Sequence, residues 1–211
     1  MINVYLLQSN SSAIDTPAFF EWLSAFGDEE IRRLSGMSSQ SRRAESIGAL
    51  TALHRLLELC GHQPCRIVRA DGGKPYFEGE HSPAFSLSHS GGICAAALGE
   101  CGTQIGLDVE VLRPVRDAEG IAKRFFGKDE LERFLGSGQS DEVFLELWTQ
   151  KEARSKLHGN GLFDSAPIDA PPLFFHTEST ELCGTRITIS VYSTAPIDRI
   201  KIFSNTGDVN V

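Results

Sequence analysis

The sequence predicts an α+β protein built of two lobes, each with one long helix followed by several short strands. Apolar stripes at helical spacing indicate the two long helices, over residues 38–60 and 141–157. Short apolar runs bounded by glycine and proline turns follow each helix and are typical of strands. The chain has 211 residues, and we place the lobe boundary after residue 112. The lobes then span residues 1–112 and 113–211, each close to the common domain size of about 100 residues.

The first lobe is expected to contain three helices ahead of its strands. Phenylalanine and leucine at helical spacing predict a helix over residues 17–26, and a short helix over 29–34 follows. Gly61 is placed to end the long helix. Strands are predicted over four ranges: 67–70, 84–88, 93–98 and 104–111.

The second lobe is expected to open with two short helices, over residues 117–126 and 128–135. Ser140 is a plausible N-cap for the helix over 141–157. Residues 159–172 are rich in loop-forming residue types. Three strands are predicted after that loop, over residues 173–176, 182–190 and 197–203.

Composition and charge exclude several classes of protein. The net charge is −8, which argues against a protein that coats nucleic acid. No stretch approaches the roughly 20 apolar residues of a membrane span, and the first residues lack the basic start of a signal peptide. The five cysteines include no C-x-x-C pair, so neither a disulfide framework nor a zinc site is predicted. We expect a cytoplasmic protein with free thiols.

Asp108 and Glu110 are the first candidates for chemistry. They lie two residues apart on the strand predicted over 104–111, and residues i and i+2 of a strand share a face. The apolar residues between them face the core, so both carboxylates are expected to face a common outer space. Two carboxylates held together suit a hard cation such as Mg²⁺. On this pair alone, an ordinary polar outer face of a strand remains open.

A second candidate group lies on the helix over 141–157. Trp148, Glu152 and Lys156 are spaced four residues apart and share one stripe, with Trp148 expected on the packing face. An acid and a base at the edge of that face can be held in fixed geometry. An exposed Glu–Lys helix pair, worth only about 0.3–0.5 kcal/mol, remains the alternative.

Two turns complete the candidates. Ser88 and His89 lead into a glycine-relieved turn whose backbone could approach an anion closely, although a polar hairpin turn remains open. Adjacent side chains on a strand point in opposite directions, so Ser88 and His89 are poorly placed to act as a nucleophile and its base. Gly73-Lys74-Pro75 presents one cation on a rigid turn but lacks the glycine spacing of a P-loop.

Taken in order, these segments resemble the Sfp-type 4'-phosphopantetheinyl transferases. The matching motifs are Gly73-Lys74-Pro75, Phe85-Ser86-Leu87-Ser88-His89-Ser90, Gly106-Leu107-Asp108-Val109-Glu110 and Trp148-Thr149-Gln150-Lys151-Glu152-Ala153-Arg154-Ser155-Lys156. Gly161-Leu162 after the helix is also similar to the family. Each motif alone is weak, but four in the family's order and intervals are specific, and the resemblance covers residues 40–162.

The resemblance implies two similar lobes in a pseudo-twofold arrangement, with the active site between them. It implies transfer of the phosphopantetheine arm of coenzyme A to a serine of an apo acyl or peptidyl carrier protein, with Mg²⁺ required. Asp108, Glu110 and Glu152 are then the expected metal ligands. Asp108, Glu152 and Lys156 are the expected catalytic residues, with Glu152 as general base and Lys156 acting on the departing phosphate.

The resemblance also implies contacts to coenzyme A. The expected residues are Lys74, Pro75, Ser88, His89, Arg42 and Arg43, with Lys151 as a further cation. The chain departs from the family where Ala44 or Glu45 occupies the place of a frequent arginine, and Arg32 or Arg33 is the expected substitute. A monomer is expected, since both halves of the site lie in one chain.

Two other functions remain open from the sequence. One is a Mg²⁺-dependent phosphohydrolase that uses the same carboxylates with water as the acceptor. The other is a non-catalytic relative that binds coenzyme A or a carrier domain. For a carrier partner, Lys123, Arg124 and Lys128 with Phe125 and Phe126 form a candidate docking patch, with a core role for the phenylalanines as the alternative.

Overall fold

A computed structural model describes residues 1–8, 17–159, 173–204 and 207–209 of the chain, and these form a mixed α+β fold. The predicted fold class is confirmed. The helices are α1 (Pro17–Ser24), α2 (Asp28–Ser35), α3 (Gln40–Cys60), α4 (Ala118–Phe125), α5 (Lys128–Gly136) and α6 (Asp141–His158). The strands are β1 (Ile2–Gln8), β2 (Ile67–Arg69), β3 (Pro75–Phe77), β4 (Pro83–Ser90), β5 (Ile93–Cys101), β6 (Ile105–Val111), β7 (Phe174–Leu182), β8 (Thr185–Ser193), β9 (Ile200–Ser204) and β10 (Gly207–Val209).

The described strands form three sheets. A five-stranded sheet has the order β10-β9-β1-β5-β4, a three-stranded sheet has the order β6-β8-β7, and β2 pairs with β3. Helix α3 packs on β1 and β5 of the larger sheet, while α6 packs on β6 and β8 of the smaller one. The two long helices therefore each cover one sheet.

Side chains of β1 alternate between two cores. Val4 and Leu6 join β6 and β8 in a core between the two larger sheets, and Tyr5 joins the core beneath α3. This alternation follows from the two-residue period of a strand. A third cluster, built on phenylalanines of α4, α5 and α6, holds these three helices together.

The strand pairing crosses the lobe boundary predicted after residue 112. Strand β6 lies before that boundary but pairs with β8, and β9 lies after it but pairs in parallel with β1. Both pairings bury apolar strands. The local sequence pattern of these strands could not predict which sheet each of them joins. The pseudo-twofold relation of the lobes stays a prediction.

Most predicted elements are present, with changes at their ends. The sequence prediction omitted β1, β3 and β10, and the strand predicted over 182–190 lies at Thr185–Ser193. Ser140 is the N-cap position of α6, although no capping side-chain hydrogen bond forms there. Gly161-Leu162 and the rest of the predicted loop beyond residue 159 lie outside the described residues. Across the described part of the chain, no helix has both the length and the apolar character needed to cross a bilayer.

Helix α6 lies directly on strand β6 at Gly106. A Cβ at Gly106 would overlap the carbonyl oxygen of Ala153 and the backbone nitrogen of Leu157. A second close approach occurs where a Cβ on Gly72 would overlap the carbonyl oxygen of Gly159. The first contact brings α6 against the strand that carries Asp108, and the second brings the turn before β3 against the end of α6.

Candidate functional site

Strand β4 meets strand β6 through serine side chains. The hydroxyls of Ser86, Ser88 and Ser90 accept hydrogen bonds from the backbone N–H groups of Leu107, Val109 and Val111, at 2.9, 3.2 and 3.4 Å. Three alternate residues of β4 thus face β6, as the period of a strand requires. We call this set the serine ladder. It joins the five-stranded sheet to the three-stranded sheet.

Asp108 lies on β6 beside this ladder and is only 5% exposed. Its Oδ1 accepts hydrogen bonds from Ser88 Oγ at 2.8 Å and Lys156 Nζ at 2.7 Å. Its Oδ2 is buried and has no hydrogen-bond partner in the described residues. Asp108 lies on the face of β6 opposite the core residues Leu107 and Val109, as expected, but α6 covers that face, so the expected open outer space is absent. Lys156 reaches Asp108 from α6.

Glu110 and Glu152 complete a group of three interacting carboxylates. Burial raises the pKa of Glu152, and the charges of Asp108 and Glu110 raise it further, while Lys156 lowers it. Burial also raises the pKa of Glu110, whose Oε2 accepts a hydrogen bond from Ser90 Oγ at 2.5 Å. The structure thus brings together the three carboxylates that the sequence singled out.

A cleft of about 500 Å³ opens beside this group. Lys74, Pro75, Ser88, His89 and Lys156 line it, as do Arg33 and Arg69. The lining therefore combines residues from the turn before β3, from β4 and from α6. A cleft with several cations along its wall suits an anionic ligand.

Arg33 and Arg69 are held by one buried carboxylate. Glu30 is 1% exposed, and its Oε1 accepts from Nε and Nη2 of Arg69 at 3.0 and 2.7 Å. Its Oε2 lies 2.9 and 2.8 Å from Nε and Nη2 of Arg33. Arg69 also donates to the carbonyl of Gly73 at 3.0 Å. One negative charge here fixes two positive ones, which leaves the group cationic.

His89 and Lys74 occupy different environments within the cleft. The Nδ1 of His89 lies 3.4 Å from Oε2 of Glu45; partial burial lowers the pKa of His89, and Glu45 opposes that shift. Lys74 Nζ donates to the carbonyls of Ile105 and Leu157 at 3.2 and 2.5 Å. Burial lowers the pKa of Lys74 to about 8. The ammonium of Lys74 thus ties β6 to the end of α6.

Three predicted coenzyme A contacts lie apart from this cleft. Arg42 is exposed near the start of α3, where its backbone N–H donates to Ser39 Oγ at 3.3 Å. Arg43 follows it, and its buried Nε has no hydrogen-bond partner in the part of the chain that the structure describes. Lys151 lies 3.1 Å from Glu130 in an ion pair between α6 and α5. None of the three is among the described residues that line the cleft.

The three carboxylates fit a divalent cation chemically, although they do not form a ready-made ligand set. Among the described residues, no group of three or more His, Cys, Asp or Glu side chains is arranged as a metal site. Asp108 Oδ2 is nevertheless unpartnered, and Asp108 and Glu110 both disfavour ionisation of Glu152. A bound cation would relieve both conditions, and carboxylate oxygens are the ligands that Mg²⁺ prefers.

Sequence reasoning missed Glu30 and Arg69, as well as the role of the serine ladder. Arg69 comes two residues before the Asp71-Gly72-Gly73 turn, and no local pattern marks it as a ligand. Glu30 sits among other charged residues at the start of α2. Only the folded chain shows that these two residues meet across 39 positions.

A family model described as the 4'-phosphopantetheinyl transferase superfamily matches residues 104–195, which include β6, α6 and β8. Over these residues the chain is similar to the 4'-phosphopantetheinyl transferase superfamily, which confirms the resemblance carried by the motifs.

Individual relatives carry the same name. The chain is 44% identical over 80 residues to the 4'-phosphopantetheinyl transferase HetI of Nostoc sp., which is 37% of this chain and 33% of that protein. It is 33% identical over 115 residues to the 4'-phosphopantetheinyl transferase ffp of Bacillus subtilis, which is 54% of this chain and 49% of that protein. It is 33% identical over 106 residues to the 4'-phosphopantetheinyl transferase AcpT of Escherichia coli, which is 49% of this chain and 54% of that protein. The match thus spans a third to about half of the length of these relatives.

Proposed function

We propose that the protein transfers the 4'-phosphopantetheine arm of coenzyme A to a serine hydroxyl of an apo carrier protein, acyl or peptidyl. The observation that carries this proposal is the cationic cleft beside three interacting carboxylates, in a chain similar to this superfamily. The serine oxygen would attack the phosphorus that bears pantetheine, and the pyrophosphate bond would break. Adenosine 3',5'-bisphosphate would leave with the bridging oxygen.

Glu152 is the proposed general base for the carrier serine. Its carboxylate is partly buried beside Asp108, and the raised pKa makes it a stronger base than an exposed glutamate. A general base works best when its pKa is near the operating pH. The proton of the serine hydroxyl would pass to Glu152, directly or through a water molecule.

Lys156 is the proposed partner of the departing phosphate. It lines the cleft and is held at Asp108 and Ser88 by hydrogen bonds of 2.7 and 2.8 Å. A preorganised cation stabilises charge that develops on a leaving phosphate oxygen. The ammonium still has a third proton to donate there.

Asp108, Glu110 and Glu152 would hold the Mg²⁺ ion. The ion would act as a Lewis acid toward the pyrophosphate when bound. The unpartnered Oδ2 of Asp108 is the oxygen that the protein leaves available for it.

The cleft wall would bind the nucleotide end of coenzyme A. Lys74 and Pro75 line the cleft and would lie on the adenine side, and the imidazole of His89, which also lines it, would contact a phosphate. Arg33 and Arg69 would take the phosphate contact that the missing family arginine leaves open. Arg42, Arg43 and Lys151 are not among the described residues that line the cleft, so they would contact coenzyme A from beyond this wall.

The carrier would dock beside α4. Lys123 and Arg124 are exposed on this helix, whereas Phe126 is buried with other phenylalanines in the helical core. Exposed cations steer an acidic carrier surface toward the site. The phenylalanines therefore contribute to the core, and the charged residues would form the contact.

The test is an intact-mass measurement on an apo carrier protein mixed with the purified protein, coenzyme A and Mg²⁺. The carrier is expected to gain one phosphopantetheine arm, and the gain is expected to disappear with EDTA and with Glu152→Gln. Glu132→Gln, an exposed site on α5, is the control and is expected to keep the transfer.

The same mixture separates the other candidate functions. Hydrolysis of coenzyme A that needs no carrier would indicate a phosphohydrolase. Coenzyme A that binds without any reaction, across acyl and peptidyl carriers, would indicate a non-catalytic relative. Either result would overturn the proposed transfer.

A further inference from the structure

We infer that the hydroxyls of Ser88 and Ser90 are positioning groups that orient Asp108, Lys156 and Glu110, and that Ser88 does not bind a phosphate of the substrate. The inference rests on the proposed function for the identity of the substrate. It departs from the resemblance, which implies that Ser88 contacts coenzyme A.

The serine ladder takes the place of a backbone ladder. Strand β6 pairs with β8 along one edge, and its N–H groups at Leu107, Val109 and Val111 point to β4. No backbone pairing links β4 to β6 in the described sheets. Each of these buried N–H groups needs a partner, and a serine hydroxyl supplies it. The distance between the strands is therefore set by side chains.

The hydroxyl of Ser88 has no capacity left for a ligand. A serine hydroxyl has one proton to donate and two lone pairs to accept with. Ser88 donates to Asp108 Oδ1 and accepts from Val109 N and Lys156 Nζ. The residue is 3% exposed. A phosphate could reach this hydroxyl only by displacing Asp108 or Lys156.

Ser90 performs the same task one step along the strand. It accepts from Val111 N and donates to Glu110 Oε2. Among the described residues, the other polar contact of Glu110 is a longer one of 3.6 Å to Arg113, which is largely exposed. The hydroxyl of Ser90 is therefore the main constraint on this carboxylate.

His89 lies between these serines and points the other way. It is exposed and lines the cleft. Within the Ser-His-Ser segment, contact with substrate thus falls to the histidine, while the two serines hold the carboxylates in place.

Ser86 provides a matched control. Its hydroxyl accepts from Leu107 N at 2.9 Å, and no carboxylate is among its recorded hydrogen-bond partners. Ser86→Ala therefore removes the same kind of bond between the strands without freeing a catalytic side chain. The effect of Ser86→Ala therefore measures what is lost when one hydrogen bond between β4 and β6 is removed.

The test compares two titrations on Ser88→Ala, Ser90→Ala and Ser86→Ala. Calorimetry with Mn²⁺ alone measures the carboxylate site, and calorimetry with adenosine 3',5'-bisphosphate in EDTA measures the cleft. Ser88→Ala and Ser90→Ala are expected to weaken Mn²⁺ binding by about 10–100-fold, as is usual when a partner of a metal ligand is lost. Binding of adenosine 3',5'-bisphosphate is expected to stay unchanged in all three variants, and Ser90→Thr is expected to restore Mn²⁺ binding.

Several results would overturn the inference. A loss of adenosine 3',5'-bisphosphate affinity in Ser88→Ala would make Ser88 a substrate contact. Equal Mn²⁺ binding in all three variants, or none in the wild-type protein, would remove the positioning role. If Ser88→Ala does not fold, Ser90→Ala carries the same comparison through Glu110. Since neither titration uses turnover, failure of the transfer reaction itself is detected separately by the carrier assay.

Discussion

Two buried carboxylates stand behind the same cleft, and they differ in how completely they are neutralised. Glu30 accepts from four guanidinium nitrogens of Arg33 and Arg69, so both of its oxygens are satisfied. Asp108 has one oxygen bound by Ser88 and Lys156, whereas the other has no partner among the described residues. Glu110 and Glu152 add further negative charge beside Asp108.

The difference indicates what each carboxylate is for. A saturated buried carboxylate fixes the side chains around it, since removing it would leave charges unpaired. A buried oxygen without a partner costs free energy, and its retention is explained if a ligand supplies the partner. We therefore expect Glu30 to contribute mainly to stability and Asp108 mainly to catalysis.

The largest effect is expected from a substitution that disrupts the contact between α6 and β6, because this contact brings Lys156 to Asp108. Gly106→Ala would place a Cβ against backbone atoms of α6, and overpacking of this kind is expected to lower the free energy of unfolding by about 3 kcal/mol. Denaturant unfolding measures the change. Gly136→Ala, whose Cβ would meet open space, is the control. Wild-type stability in Gly106→Ala would show that α6 does not lie on β6 as described.

The next largest effect is expected when the negative charge of Asp108 is removed. Asp108→Asn keeps the shape of the side chain but removes its charge, and kcat for transfer is expected to fall by about a hundredfold. The folded structure is expected to persist, because repulsion with Glu110 and Glu152 is relieved. Steady-state kinetics and circular dichroism measure the two quantities. Near-normal turnover would place the reaction elsewhere.

The saturated carboxylate is expected to behave in the opposite way. Glu30→Gln leaves two arginines with fewer partners, and the free energy of unfolding is expected to fall by about 2 kcal/mol, a value reduced because both arginines are partly exposed. Thermal and denaturant unfolding measure it against Glu29→Gln, an exposed site on the same helix. A variant that unfolds like the wild type but has lost its kcat would reverse the comparison.

Arg69 tests the cationic side of the cleft. Arg69→Met is expected to raise KM for coenzyme A by about tenfold, in line with the loss of a hydrogen bond to a charged group. The value of kcat is expected to change little, because Arg69 is remote from the three carboxylates in the proposed mechanism. Arg32→Met is the control, because Arg32 is exposed on α2 and, unlike Arg33, is not among the described residues that line the cleft. An unchanged KM in Arg69→Met would assign the phosphate contact to other residues.

A further effect is a pH dependence of stability from Lys74. Burial lowers its pKa from 10.5 to about 8, so between these pH values the unfolded chain binds more protons than the folded one. The free energy of unfolding therefore rises with pH across this range. It is lowest below pH 8, where the Lys74 ammonium is charged in both the folded and the unfolded state. The difference in unfolding free energy between wild type and Lys74→Met, followed from pH 7 to 10.5, should show that rise. Lys201→Met, an exposed site on β9, should show no such trend.

Much of the local structure could be predicted from the sequence. The two long helices at Gln40–Cys60 and Asp141–His158 were located by their apolar stripes, because the period of a helix repeats in the sequence. Strand β1 was missed, since its run of apolar residues has two buried faces and no alternation to mark it. The pairing of β1 with β9 joins the two ends of the chain, and no local pattern encodes it.

The sequence by itself determined the resemblance to the 4'-phosphopantetheinyl transferases and the candidate carboxylates. Asp108, Glu110 and Glu152 were found because strand and helix periods place side chains on known faces. Only the tertiary structure decided that Asp108 is buried beneath α6, that Lys74 donates to backbone carbonyls, and that Glu30 joins Arg33 to Arg69. The physical reason is that hydrogen bonds and burial depend on distances between residues far apart in the chain, whereas periodicity reports only on neighbours.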